Sequence, residues 1–127
     1  MNVRTMLPGC THIFIVSNYS LTHSLLGAQF KEEGLEVTGS ASLEAAVSQL
    51  SGLQIVPSLP IIETLGLDMP ANALELFGEM CRGVPLLLIS GAGDRPSHLT
   101  WKGARYRLTR PLTIGQIVAK DRSLLLN

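Results

Sequence analysis

Two short, uninterrupted apolar runs, Ile13-Phe14-Ile15-Val16 and Leu86-Leu87-Leu88-Ile89, constrain the fold more than any other feature of the chain. A strand with one face in water alternates apolar and polar residues. A strand with no polar position must be covered on both faces, as in a parallel sheet layered between helices. Both runs are far shorter than the roughly 20 residues a bilayer crossing needs, so no transmembrane helix is expected. A length of 127 residues fits one domain, and 46% hydrophobic against 16% charged residues is too apolar for a disordered chain. Residues 1–9 hold one Arg, a Pro and no apolar stretch, so they read as a linker or tail and not as a secretory signal, which predicts a cytoplasmic protein. Cys10 and Cys81 lie far apart and outside any Cys-x-x-Cys spacing. They indicate buried reduced thiols and neither a disulfide framework nor a zinc site.

Between the apolar runs, strand and helix signals alternate. Ser20 or Thr22 can cap a helix carrying Leu25, Leu26 and Phe30 on one side, with Lys31, Glu32 and Glu33 outward and Gly34 as its stop. Leu35, Val37 and the small residues Thr38 to Ser40 make a second strand, and Leu43, Ala46, Val47 and Leu50 form the next helical stripe, closed by Ser51 and Gly52. Pro57 and Pro60 predict a loop over 51–60 and a third strand over 61–65. Ala73, Leu74, Phe77 and Met80 mark a third helix over 71–81, ended by Gly83, and Pro85 to Ile89 is the fourth strand. Gly91, Gly93 and Pro96 leave room only for a shortened fourth helix from Ser97 to Lys102 around Trp101. Gly103 precedes a last strand over 104–108, and Thr113 caps a final helix with Ile114, Ile117, Val118, Leu124 and Leu125 at three-four spacing. Five strands alternating with helices predict an α/β fold: residues 10–127 as a single doubly wound domain, with a five-stranded parallel sheet flanked by helices. Function in such sheets sits at the carboxyl ends of the strands, here Ser17 and Asn18, Leu65 and Gly66, Ser90 and Gly91, and Thr109 and Arg110.

Charge is balanced in total and uneven along the chain. From Glu32 to Asp94 there are nine acidic residues and one basic one, Arg82; from Arg95 onward seven basic residues face Asp121 alone. The last third therefore suits an anionic partner, or else contributes a solvated face that pairs locally.

The order of elements, with Met69-Pro70 after the third strand and Leu108-Thr109-Arg110-Pro111-Leu112 after the fifth, resembles the receiver domain of bacterial two-component response regulators, the CheY-like variety of the flavodoxin-like fold. Lys31-Glu32-Glu33-Gly34-Leu35-Glu36-Val37, Pro85 to Ser90 and Gly103-Ala104 extend the similarity over nearly the whole chain. An active receiver holds Mg²⁺ with an acidic pair after its first strand, phosphorylates an Asp after its third, and uses a Ser or Thr after its fourth and a Lys before a Pro after its fifth. Clustered carboxylates bind a hard divalent cation, the Asp is the nucleophile, and the hydroxyl and ammonium hold phosphoryl oxygens. The resemblance puts Ser17 and Asn18 at the acidic pair and, counting back from Met69-Pro70, Gly66 at the phosphoacceptor. It puts Ser90 at the hydroxyl, Arg110 at the Lys and Arg107 at the switching aromatic, with Tyr106 one step off. Asp68 falls on the loop, and no acidic residue falls at an expected strand end. The implication is a degenerate pseudo-receiver: an anion-friendly pocket without nucleophile, metal or cofactor, and no enzymatic activity. Such domains resemble the receiver-like domains inside hybrid sensor histidine kinases.

The first functional expectation is therefore a non-phosphorylatable module of a two-component protein, part of a hybrid histidine kinase, that regulates kinase or output domains by contact. The surface expected to make that contact runs from Leu99 to Arg107, including Trp101, with the final helix. A second is a sensor that binds an anionic nucleotide second messenger through Arg105, Arg107 and Arg110. Arg105 and Arg107 on one strand face can bracket a phosphate or carboxylate, and the same charges also suit an edge strand guarded against aggregation. A third is the N-terminal regulatory domain of a transcription regulator. A homodimer is compatible with each. Direct nucleic-acid binding lacks a helix-turn-helix or a basic helix, and no membrane contact is expected. His12, His23 and His98 show no metal-ligand spacing, and Gly91-Ala92-Gly93, without a following Lys-Ser/Thr, reads as a turn.

Overall fold

The computed structural model of the chain describes residues 11–53, 56–91, 104–109 and 113–126. Five strands, β1 (His12–Val16), β2 (Glu36–Ser40), β3 (Leu59–Glu63), β4 (Leu86–Ser90) and β5 (Arg105–Thr109), form one parallel sheet in the order β2-β1-β3-β4-β5. Four helices, α1 (Ser20–Glu32), α2 (Leu43–Leu53), α3 (Ala71–Met80) and α4 (Ile114–Leu126), cover its two faces. This is the doubly wound architecture that the apolar runs require. The expected linker over 1–9, Cys10 and the shortened helix around Trp101 lie outside the described residues.

Strand alternation divides the core into two layers. Phe14, Val16, Ile62, Leu86 and Leu88 point to α2 and α3 and meet Leu43, Leu50, Leu74 and Phe77, with the Phe14 and Phe77 ring centroids 6.3 Å apart. Ile13, Ile15, Ile61, Leu87 and Ile89 point the other way, onto Leu26 and Phe30 of α1 and Ile117 and Val118 of α4. Full burial of each such side chain contributes about 1.5–3 kcal/mol. Cys81 is buried in the first layer, and burial pushes its thiol up to about 12, so it is inert at neutral pH.

The helix stops follow the local chemistry. Gly34 and Gly83 take φ values of +84° and +81° just beyond α1 and the α3 turn, a conformation glycine adopts at least cost. Thr113 and Gln116 cap α4 reciprocally: the Gln116 N–H donates to Thr113 Oγ1 at 3.1 Å and the Thr113 N–H to Gln116 Oε1 at 2.7 Å. The N-terminus of α1 differs from expectation. Its cap is Tyr19, with no side-chain hydrogen bond, Ser20 is already helical, and the Thr22 hydroxyl is used elsewhere.

The third strand is the consequential correction. It runs from Leu59 to Glu63 and includes Pro60, whereas the prolines had predicted a loop to residue 60 and a strand over 61–65. Proline is tolerated at the start of a strand. Here the β3–β4 ladder begins only at Ile61↔Leu87, one residue past Pro60. The strand therefore ends on an acidic residue. α2 likewise continues through Ser51 and Gly52 to Leu53.

Candidate functional site

The sheet register brings the carboxyl ends of β1, β3 and β4 together: Val16 pairs with Ile62, and Glu63 with Ile89. Glu63 is the last residue of β3 and is only 1% exposed. Burying a carboxyl group is costly unless hydrogen bonds compensate it. Two hydroxyls do so. Ser17 Oγ, just past β1, donates to Glu63 Oε1 at 2.6 Å, and Thr22 Oγ1, in the first turn of α1, donates to the same oxygen at 2.7 Å. Ser17 Oγ also accepts the Tyr19 backbone N–H at 3.0 Å, and a ring nitrogen of His23 lies 2.9 Å from the Ser17 carbonyl. His23 reaches that position because residue 39 is glycine, where a Cβ would stand 2.5 Å from His23 Nδ1. The β1–α1 turn is thus tied to the end of β3 by one connected polar network.

The expected site residues divide accordingly. Ser17 is fully buried and part of the network, while Asn18 is exposed beside it. Gly66, aligned from Met69-Pro70 with the phosphoacceptor, is not at the strand end. It sits in a left-handed turn with φ +68°, where a Cβ would come within 2.9 Å of the Tyr19 hydroxyl. The acidic residue at the strand end is Glu63. This corrects the expectation that no acidic residue reaches a strand end. Asp68 is exposed on the β3–α3 loop.

Ser90, at the end of β4, is fully buried and accepts a 2.8 Å hydrogen bond from Arg107 Nε. Arg110, expected beside Ser90, and Trp101 lie outside the described residues. Arg105 and Arg107 do share the more exposed face of β5, the edge strand, with Tyr106 and Leu108 half-buried on the other. One of the two arginines expected to bracket an anion is therefore turned onto Ser90. Above Glu63, Tyr19, Leu21, Leu25, Leu65 and Ile114 frame an open cavity of about 400 Å³. Tyr19, Leu21, Leu25 and Leu65 are exposed and form an apolar rim.

The Mg²⁺ of active receivers does not fit this donor set. One carboxyl group, already engaged by two hydroxyls, together with the Ser17 hydroxyl and the Asn18 amide, supplies too little anionic oxygen for a cation that demands near-octahedral hard ligands. Among the described residues no group of three or more His, Cys, Asp or Glu side chains could hold a metal ion. Nor is any helix there long and apolar enough to cross a membrane.

No protein-family model matches the chain, and no curated protein matches it in sequence. Solved structures do match it in shape. A two-component response regulator from Clostridium difficile superposes with a TM-score of 0.72 at 16% identity, covering 92% of this chain and 97% of that one. The receiver domain of TorR, response regulator of the TMAO respiratory system, gives 0.71 at 25% identity over 91% and 97%. The receiver domain of the hybrid histidine kinase CckA gives 0.69 at 18% identity over 90% and 98%. The fold is that of a CheY-like receiver domain.

Proposed function

We propose that this chain is a receiver-like module of two-component signalling that is not phosphorylated and that works, without enzymatic activity of its own, by contact with kinase or output domains in the cytoplasm. The observation that carries this reading is Glu63. The strand end that presents a free aspartate to the phosphodonor in an active receiver here holds a carboxyl group one methylene longer. That carboxyl group is folded back onto Ser17 and Thr22 and buried to 1% exposure. A nucleophile must be reachable and unencumbered, and the attack requires a divalent cation that this donor set does not suit. Arg107 supports the same reading. At the position where receivers carry their switching aromatic, it is fixed to the buried Ser90 hydroxyl. The exposed apolar side chains of Tyr19, Leu21, Leu25 and Leu65 around the network supply a surface suited to protein contact.

Incubating the protein with Mg²⁺ and acetyl phosphate tests the proposal by intact-mass measurement. The expected result is an unchanged mass. An acid-labile phosphoryl adduct that disappears in Glu63→Gln or in Asp68→Asn would overturn it.

A further inference from the structure

We propose that a cavity at the amino-terminal end of the sheet, between α1 and α4, is a binding site for a small organic monocation: a primary ammonium on a short apolar body. The cavity measures about 260 Å³, and Phe30, Leu35, Val118 and Leu125 supply its apolar walls. Pockets for drug-sized ligands span about 300–1,000 Å³, so this one admits a small molecule and not a nucleotide. Asp121, on the inward side of α4, lines it, and this residue is only 1% exposed. Neither of its carboxyl oxygens has a hydrogen-bond partner among the described residues. Among the described residues, the other charged groups lining the cavity are Glu33 from α1 and Arg122 from α4, and these two are paired with each other. The strand side contributes Thr11 and Leu35, which carry no charge. With Glu33 and Arg122 cancelling, the ionised Asp121 leaves one net negative charge, which a monocation complements. An ammonium offers three donors, and the unpartnered Asp121 carboxyl group and the Thr11 hydroxyl, both on residues lining the cavity, offer acceptors. The apolar walls suit an alkyl body and give an inorganic cation no further ligands.

Burial also pushes the Asp121 carboxyl up to about 7, so its ionised fraction, and with it the affinity for a cation, changes about tenfold between pH 6 and pH 8. The test is a titration of the full chain with n-butylammonium chloride, against sodium chloride at equal ionic strength, followed by the NMR signals of the Val118 and Leu125 methyl groups and of the Asp121 carboxyl carbon. Expected are saturable methyl shifts, about tenfold tighter binding at pH 8 than at pH 6, and at least about tenfold weaker binding in Asp121→Asn. Leu125→Phe, which fills the cavity and keeps the carboxyl group, is expected to weaken binding as well, and it serves should the first variant fail to fold. Methyl shifts no larger than those in sodium chloride would overturn the proposal, as would binding that persists in the variants. An Asp121 that titrates in the ordinary carboxylate range in the unliganded protein would also overturn it, because the group would then already have a partner.

Discussion

Two carboxyl groups among the described residues are buried to the same 1% exposure at opposite ends of the sheet, and they live in opposite states. Glu63, at the carboxyl end, accepts hydrogen bonds from Ser17 and Thr22 on two neighbouring elements. Asp121, at the amino-terminal end, has no partner among the described residues and is driven toward its neutral form. Burial by itself therefore says little about what an acidic side chain does. What decides is whether the surrounding backbone delivers donors to it, because a compensated carboxyl group ties elements together and an uncompensated one stores a cost.

The largest expected effect lies with Asp121. Its value of about 7 in the folded protein, against 3.8 for an unperturbed Asp, means that the folded state holds an extra proton between those limits. Stability conferred by that proton is fully present below pH 4 and is lost as pH rises to 7, by up to about 4 kcal/mol. Urea unfolding across pH 4 to 8 should show this slope in the native protein, and Asp121→Asn should lack it. Parallel profiles for the two proteins would erase the contrast between the carboxyl groups.

Glu63→Ala comes next. It leaves two hydroxyls without their acceptor and opens space at the end of β3, at an expected cost of about 3 kcal/mol at pH 7 in the same assay. Glu63→Gln keeps an acceptor oxygen and should cost less. Equal losses for both variants would show that the hydrogen bonds contribute nothing. The smallest change, Thr22→Val, removes one of the two donors at nearly constant volume and should cost about 1 kcal/mol, read from the urea midpoint. A stabilised Thr22→Val would mean that Glu63 does not need the Thr22 hydroxyl.

Much of the fold could be read from the chain because its signals are local. The apolar runs of β1 and β4, the stop at Gly34 and the Thr113 cap of α4 each depend on a few neighbouring residues, and each stands where expected. The site was less legible. Met69-Pro70 pointed to Gly66, three residues before Met69, but the strand ends at Glu63. Pro60 obscured this by its usual bar to a strand, which does not apply at a strand's first positions. Asp121 had a visible signal: it falls three residues after Val118 and three before Leu124, inside the apolar stripe of α4. A lone acid on such a stripe is easily taken for solvated surface.

By itself the sequence determined the parallel sheet and its helical cover, since periodicity is a property of the chain alone. Only the tertiary structure decided which carboxyl groups are satisfied. Ser17, Thr22 and Glu63 meet through the β1–β3 register across more than forty positions of sequence, and Asp121 has no partner among the described residues because of what α1 and the strand ends place opposite it. A hydrogen bond depends on distances of tenths of an ångström between elements remote in sequence, and that geometry exists only after the layers have packed.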